Sequence, residues 1–190
     1  MLFLTVLRHR GIPVRKRAGF DWDGWIHEIP EYWDENRSQW VLVDPDPATR
    51  APIRTFLART RQADLTIADT DAIKPGEAFT PGFLAWRLSR AGQADANQFK
   101  VQGHDGMSSV RVALLQDLDS MNKSELRTFD AWHELITAPF SQLDDSALNW
   151  LNDAAALIAD SDARFNEMRT FYTTSAYGTT IQNRLLHRPR

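Results

Sequence analysis

Apolar and polar positions along this chain change their period twice. The nearly continuous apolar run Leu2-Phe-Leu-Thr-Val-Leu7, followed by Arg8, Arg10 and Gly11, predicts the last turns of a buried helix, with cations near its C-terminus and a glycine stop. A strand pattern then takes over. Val14 to Phe20, Trp25 to Trp33 and Gln39 to Val43, rich in aromatic and β-branched residues, read as three strands, with turn material at Asp21 to Gly24 and Asp34 to Arg37. Consecutive strands of this kind make an antiparallel meander. Pro30 has no N–H to give a ladder, so the pattern predicts an edge or a bulge there, and Asp44-Pro-Asp-Pro47 ends the sheet.

Beyond the sheet the period becomes helical. Pro52 to Ala63 is ambiguous between helix and strand, and Asp64 to Pro81 reads as a long irregular connection. Gly82 to Ala91 is a helix stopped by Gly92, and Ser109 to Asp119 is a mostly buried one carrying Val110, Val112, Leu114, Leu115 and Leu118. Lys123 to Ile136 places Leu126, Phe129, Trp132, Leu135 and Ile136 at three- and four-residue spacing. Ser146 to Ala159 follows the capping residues Asp144 and Asp145, Asp162 to Tyr172 is a last helix, and the polar tail from Thr173 is expected to fray unless Ile181, Leu185 and Leu186 dock. The expected fold class is α+β: residues 1–50 form a small antiparallel sheet with one helix, 51–81 an irregular connection, and 82–190 a helical extension packed on the core.

Composition narrows the function classes. A 190-residue chain with 43% hydrophobic residues can bury a core, and a formal net charge of −3 does not favour nucleic acid or an anionic membrane as partner. With no cysteine there is neither a disulfide nor a thiolate metal site. The opening apolar run lacks a basic lead and a cleavage site and is too short to span a bilayer, so a cytoplasmic location is expected by default.

The candidate chemistry lies in the meander. A turn centred between Glu35 and Asn36 sets His27 opposite Asp44, where Cβ atoms roughly 4.5–5.5 Å apart let a carboxylate accept from an imidazole nitrogen. Such a bond fixes the tautomer and stabilises the imidazolium, the part an orienting acid plays in a nucleophile–histidine–aspartate triad. A slip of one residue would put the two side chains on opposite faces.

These residues resemble a known family. Arg8-His-Arg-Gly-Ile-Pro-Val-Arg15, then His27 ahead of Glu31-Tyr-Trp-Asp34, then Trp40-Val-Leu-Val-Asp44, is similar to the transglutaminase-like thiol superfamily, whose bacterial members use a Cys-His-Asp triad. Gly82-Phe-Leu-Ala-Trp-Arg87 and Leu118 to Leu126 resemble more loosely the helical extension of one bacterial subgroup. The resemblance implies a transglutaminase-like, papain-like core incomplete at its N-terminus, with His27 as catalytic histidine and Asp44 as its orienting aspartate. The connection between those two residues is slightly longer than the family's common form. The nucleophile is expected a few positions before Met1, and no residue here matches it. The implied activity is thiol acyl transfer or hydrolysis at an amide or peptide, needing no cofactor, with this chain inactive as written.

The alternative is a non-catalytic descendant that keeps the scaffold to bind a peptide or protein. A late start and a true loss of the cysteine both fit, and oligomeric state stays open. Thr5 and Ser38 are poorly placed as substitute nucleophiles. A metal held by His27, Glu31 and Asp44 lacks a second histidine. His104-Asp105 between glycines reads as a polar turn, and His9 and His133 as solvated or packed helix positions. The basic run Arg8, Arg10, Arg15, Lys16 and Arg17 reads as a helix end followed by a solvated strand face, while Trp22 and Trp25 are the tryptophans expected near His27.

Overall fold

Helix α1 (Leu2–His9) ends as its sequence requires. Gly11 adopts φ 74°, its N–H reaches the Arg8 carbonyl at 3.0 Å and that of Ile12 reaches Leu7 at 3.0 Å, the double bond of a Schellman stop. The computed structural model describes residues 2–45, 73, 75, 76, 78–124 and 133–186.

The α+β architecture is present. Strands β1 (Val14–Asp21), β2 (Ile26–Asp34), β3 (Gln39–Leu42) and β4 (Phe79–Pro81) form an antiparallel half-barrel in the order β3-β2-β1-β4. Asp21 closes the first turn by accepting from the N–H groups of Asp23 (3.0 Å) and Trp25 (2.9 Å). Strand β4 lies inside the stretch read as irregular connection. It is three residues long, too short to show alternation, and owes its shape to pairing with β1 through Gly19↔Pro81, Phe20↔Thr80 and Asp21↔Phe79. The ambiguous segment Pro52 to Ala63 lies outside the described residues.

Helices α2 (Gly82–Arg90), α3 (Met107–Met121), α4 (Glu134–Thr137), α5 (Asp145–Ala159), α6 (Phe165–Thr174) and α7 (Ala176–Leu186) follow. Helix α3 is central and buried from Ser109 to Met121 on every side. A Cβ on Gly82 would meet the Ala113 carbonyl oxygen at 2.2 Å, so glycine alone lets α2 start against the α3 backbone. Phe20 of β1 shares one core with Trp86, Leu114, Leu151, Ile158 and Tyr172 of the helices. Among the described residues no helix is long and apolar enough to cross a membrane.

Two helical expectations need correction. The helix read over Lys123 to Ile136 is interrupted: Asn122 closes α3, Lys123 takes φ 61°, and His133 is extended before α4. Leu126, Phe129 and Trp132 lie outside the described residues. Arg111 then holds the end of α4 by donating to the carbonyls of Ile136 (2.9 Å) and Ala138 (2.8 Å). The tail read as frayed is helix α7, because Tyr177 and Ile181, one turn apart, are both buried. Leu185 packs on the core, whereas Leu186 is exposed.

The strand face read as solvated is the most charged part of the interior. Arg17 reaches both oxygens of Asp117 on α3, at 2.8 Å each, and also donates to Glu31 at 3.2 Å. Arg15 donates to Glu31 and stacks 4.0 Å from the centre of the Trp40 ring, and Lys16 donates to Glu28 at 2.8 Å. Burial opposes charge on Glu31, but Arg17 and then Arg15 hold its carboxyl below the usual range. Replacing Arg17 by methionine leaves Asp117 buried and deprived of its bidentate partner, which should lower stability by about 3–5 kcal/mol in urea unfolding. The double variant Arg17→Met with Asp117→Leu should recover part of that loss.

Asp119, two residues further along α3, accepts from the hydroxyls of Tyr172 and Tyr177 at 2.7 Å each. Burial pushes its carboxyl from 3.8 up to about 7, against the opposing pull of Tyr177, Tyr172 and Lys16. A carboxyl with a raised folded-state value binds its proton more tightly folded than unfolded. Its stabilisation is therefore full below the unfolded value and is lost as pH rises toward about 7. The urea midpoint should fall from about pH 4 to about pH 7.5 by an increment that Asp119→Asn removes; parallel profiles for the two proteins would refute this assignment.

Candidate active site

His27 and Asp44 are brought together, though by a register other than the expected one. Strands β2 and β3 pair through Asp34↔Gln39, Trp33↔Trp40, Tyr32↔Val41 and Glu31↔Leu42, which continues to Val43 opposite Pro30 and Asp44 opposite Ile29. His27 and Asp44 are thus diagonal rather than directly opposed. The turn causes the displacement: Asp34 stays in the strand and accepts from the N–H groups of Asn36 (3.0 Å) and Arg37 (3.3 Å), while Ser38 takes φ 51°. Because the displacement is two residues, both side chains remain on one face, and diagonal neighbours lie within reach of a long side chain. His27 Nε2 is 3.0 Å from Asp44 Oδ2.

Asp44 is buried and His27 partly exposed, at 7% and 24% of their side-chain surface. They line a cavity of about 190 Å³ walled by Phe3 and Leu4 from the first turns of α1 and by Ile29 and Pro45. Leu4 is buried and anchors that end of the helix beside the ring. The arrangement can hold one tautomer and stabilise an imidazolium.

No family model, curated protein or solved structure matches this chain. The functional reading therefore rests on the residues and their geometry.

Other candidates are dispersed. Glu31 is held by Arg15 and Arg17 rather than joining His27, and among the described residues no group of three His, Cys, Asp or Glu side chains could hold a metal. Trp22 is exposed, and Trp25 lines a separate cavity of about 460 Å³ with His104, so neither tryptophan flanks His27. His104 is held below the ordinary imidazole value by burial and then by the charge of Arg111. Ser38 lies in the β2–β3 turn, and Thr5 is exposed outside the lining of the His27 cavity. His9 is exposed, and His133 caps α4 by accepting from the Leu135 N–H at 3.1 Å.

Lys16 and Glu28 also line the His27 cavity, and the sequence reading missed them. The signal was present in the first hairpin: closing it at Asp21 to Gly24 sets Lys16 opposite Pro30 and diagonal to Glu28. In ¹⁵N spectra at alkaline pH the His27 ring should show a single Nε2–H tautomer, and Asp44→Ala should convert it to a mixture. An unchanged tautomer in that variant would mean that Asp44 does not orient the ring.

Proposed function

We propose that this chain supplies the histidine–aspartate half of a transglutaminase-like site that acts on an amide or peptide by thiol acyl transfer or hydrolysis. The single observation carrying this reading is the 3.0 Å bond from His27 Nε2 to Asp44 in a cavity walled by the first turns of α1. A thiol presented from the N-terminal side of that helix would meet two influences that lower its pKa, the helix dipole and a neighbouring imidazolium. The thiolate would attack the carbonyl carbon, and His27 would protonate the amine as the C–N bond breaks. Water or a second amine would then take the acyl group, with His27 accepting its proton.

The absence of cysteine from the sequence favours a second reading, a binding protein that keeps the pocket without the covalent step. A site that keeps its histidine–aspartate pair but lacks the nucleophile retains on the order of 10³-fold over background. Both readings share an amide or peptide as ligand. They separate when α1 is extended by a few residues bearing one cysteine. The first expects iodoacetamide to alkylate that cysteine at pH 6.5 about tenfold or more faster than an exposed model thiol, with His27→Ala removing most of the gain. Equal rates with and without the imidazole would leave only the binding reading.

A further inference from the structure

Two helices end at one groove, in the same motif but with different residues at the critical position. At the close of α1 the Gly11 N–H, at φ 74°, donates to the Arg8 carbonyl at 3.0 Å while that of Ile12 donates to Leu7 at 3.0 Å. At the close of α3 the pattern repeats, with the Lys123 N–H donating to Ser120 at 3.1 Å and that of Ser124 to Asp119 at 2.8 Å. The residue in the left-handed position is now a lysine, at φ 61°. Glycine takes that conformation freely and lysine does not, so the chain keeps an ammonium where its backbone would be more relaxed without one. Lys123 and Arg8 both line a cavity of about 490 Å³ beside Gly11 and Ile12. They also line a second cavity, of about 630 Å³, whose other walls are largely aromatic.

In that second cavity Trp33 and Trp40 meet edge to face with ring centres 5.7 Å apart, and Phe165, the first residue of α6, is 40% exposed. Arg15 is already engaged: it lies over Trp40, donates to Glu31 and holds Asp162 at 2.9 Å, so the one carboxylate among the described lining residues has its cation. Arg8 and Lys123 supply the remaining charge, and among the described residues Lys123 forms no ion pair. Ser120 lines the same cavity, with its hydroxyl buried and without a partner. The volume falls in the range of small-molecule sites, and aromatic walls with cations at one end select a flat ring that carries a negative charge. We propose that the groove binds a small aromatic carboxylate, with its ring among Trp33, Trp40 and Phe165 and its carboxylate between Lys123 and Arg8. Among the described residues none is shared with the lining of the cavity beside His27, so this site stands apart from the reading above.

The probes are naphthylacetate, its neutral amide naphthylacetamide and the cation naphthylmethylamine, each titrated into the full chain and followed through the tryptophan indole N–H resonances. The acid should shift Trp33 and Trp40 and leave Trp25, which lines a different cavity, in place. It should bind about tenfold more tightly than the amide, with the amine weakest. Lys123→Gly relaxes the left-handed backbone, so it should raise the urea midpoint while weakening the acid about fivefold and sparing the amide. Lys123→Arg should keep the acid's affinity, and Phe165→Ala should weaken acid and amide alike. A cation at a helix C-terminus also complements the dipole. Were that the whole role of Lys123, the glycine variant would bind the acid as tightly as the wild type, which would overturn the proposal. An amine that binds as well as the acid, or shifts spread equally over Trp22 and Trp25, would overturn it too.

Discussion

The pair Arg17–Asp117 ties the sheet to the helix around which everything else packs. It joins the middle of β1 to the most enclosed segment of α3, with both side chains out of water, so the two layers have little freedom to slide. Buried pairs of this kind add little net stability over an apolar substitute, but they penalise every arrangement in which the partners do not meet. Glu31 extends the constraint to β2 by accepting from Arg17 and Arg15. Since β2 also carries His27, the position of the candidate site relative to the core is set by charges four residues further along the same strand.

The layout of the site follows from polar chemistry in a turn and from where β3 stops. Asp34 fixes where the β2–β3 turn closes, and the bond from the Val43 N–H to the Pro30 carbonyl continues the register one step past β3. An acid beside an imidazole then sits next to an incomplete stretch of sheet, with the start of α1 as the opposite wall. Ring orientation and ligand access therefore come from the same short segment of chain.

Much of the architecture was legible because its signals are local. The helix end at Gly11, the strands of the meander and the cap at Asp144, which accepts from the Ala147 N–H at 2.8 Å, need only neighbouring residues. His27 with Asp44 was legible for a subtler reason: side-chain facing depends on whether the register is displaced by an odd or an even number, and the displacement was even. Three features were not legible. Pro30 was expected at an edge or bulge, yet it occupies an inner strand because its missing donor falls where β3 is ending. Arg15, Lys16 and Arg17 resembled a wetted face because some of their carboxylate partners lie far along the chain, Asp117 100 positions from Arg17 and Asp162 147 positions from Arg15. Tyr177 gave no sign of being an anchor, since its partner Asp119 is 58 positions earlier.

Those separations bear on how the molecule reaches its native state. Two carboxylates on α3, one turn apart at most, are claimed from opposite directions along the chain: Asp117 by β1 and Asp119 by α6 and α7. Neither can be desolvated favourably until its own loop has closed, and closure of long loops is entropically slow. The stretch of the central helix that carries these two carboxylates therefore completes its burial only when both flanks are in place.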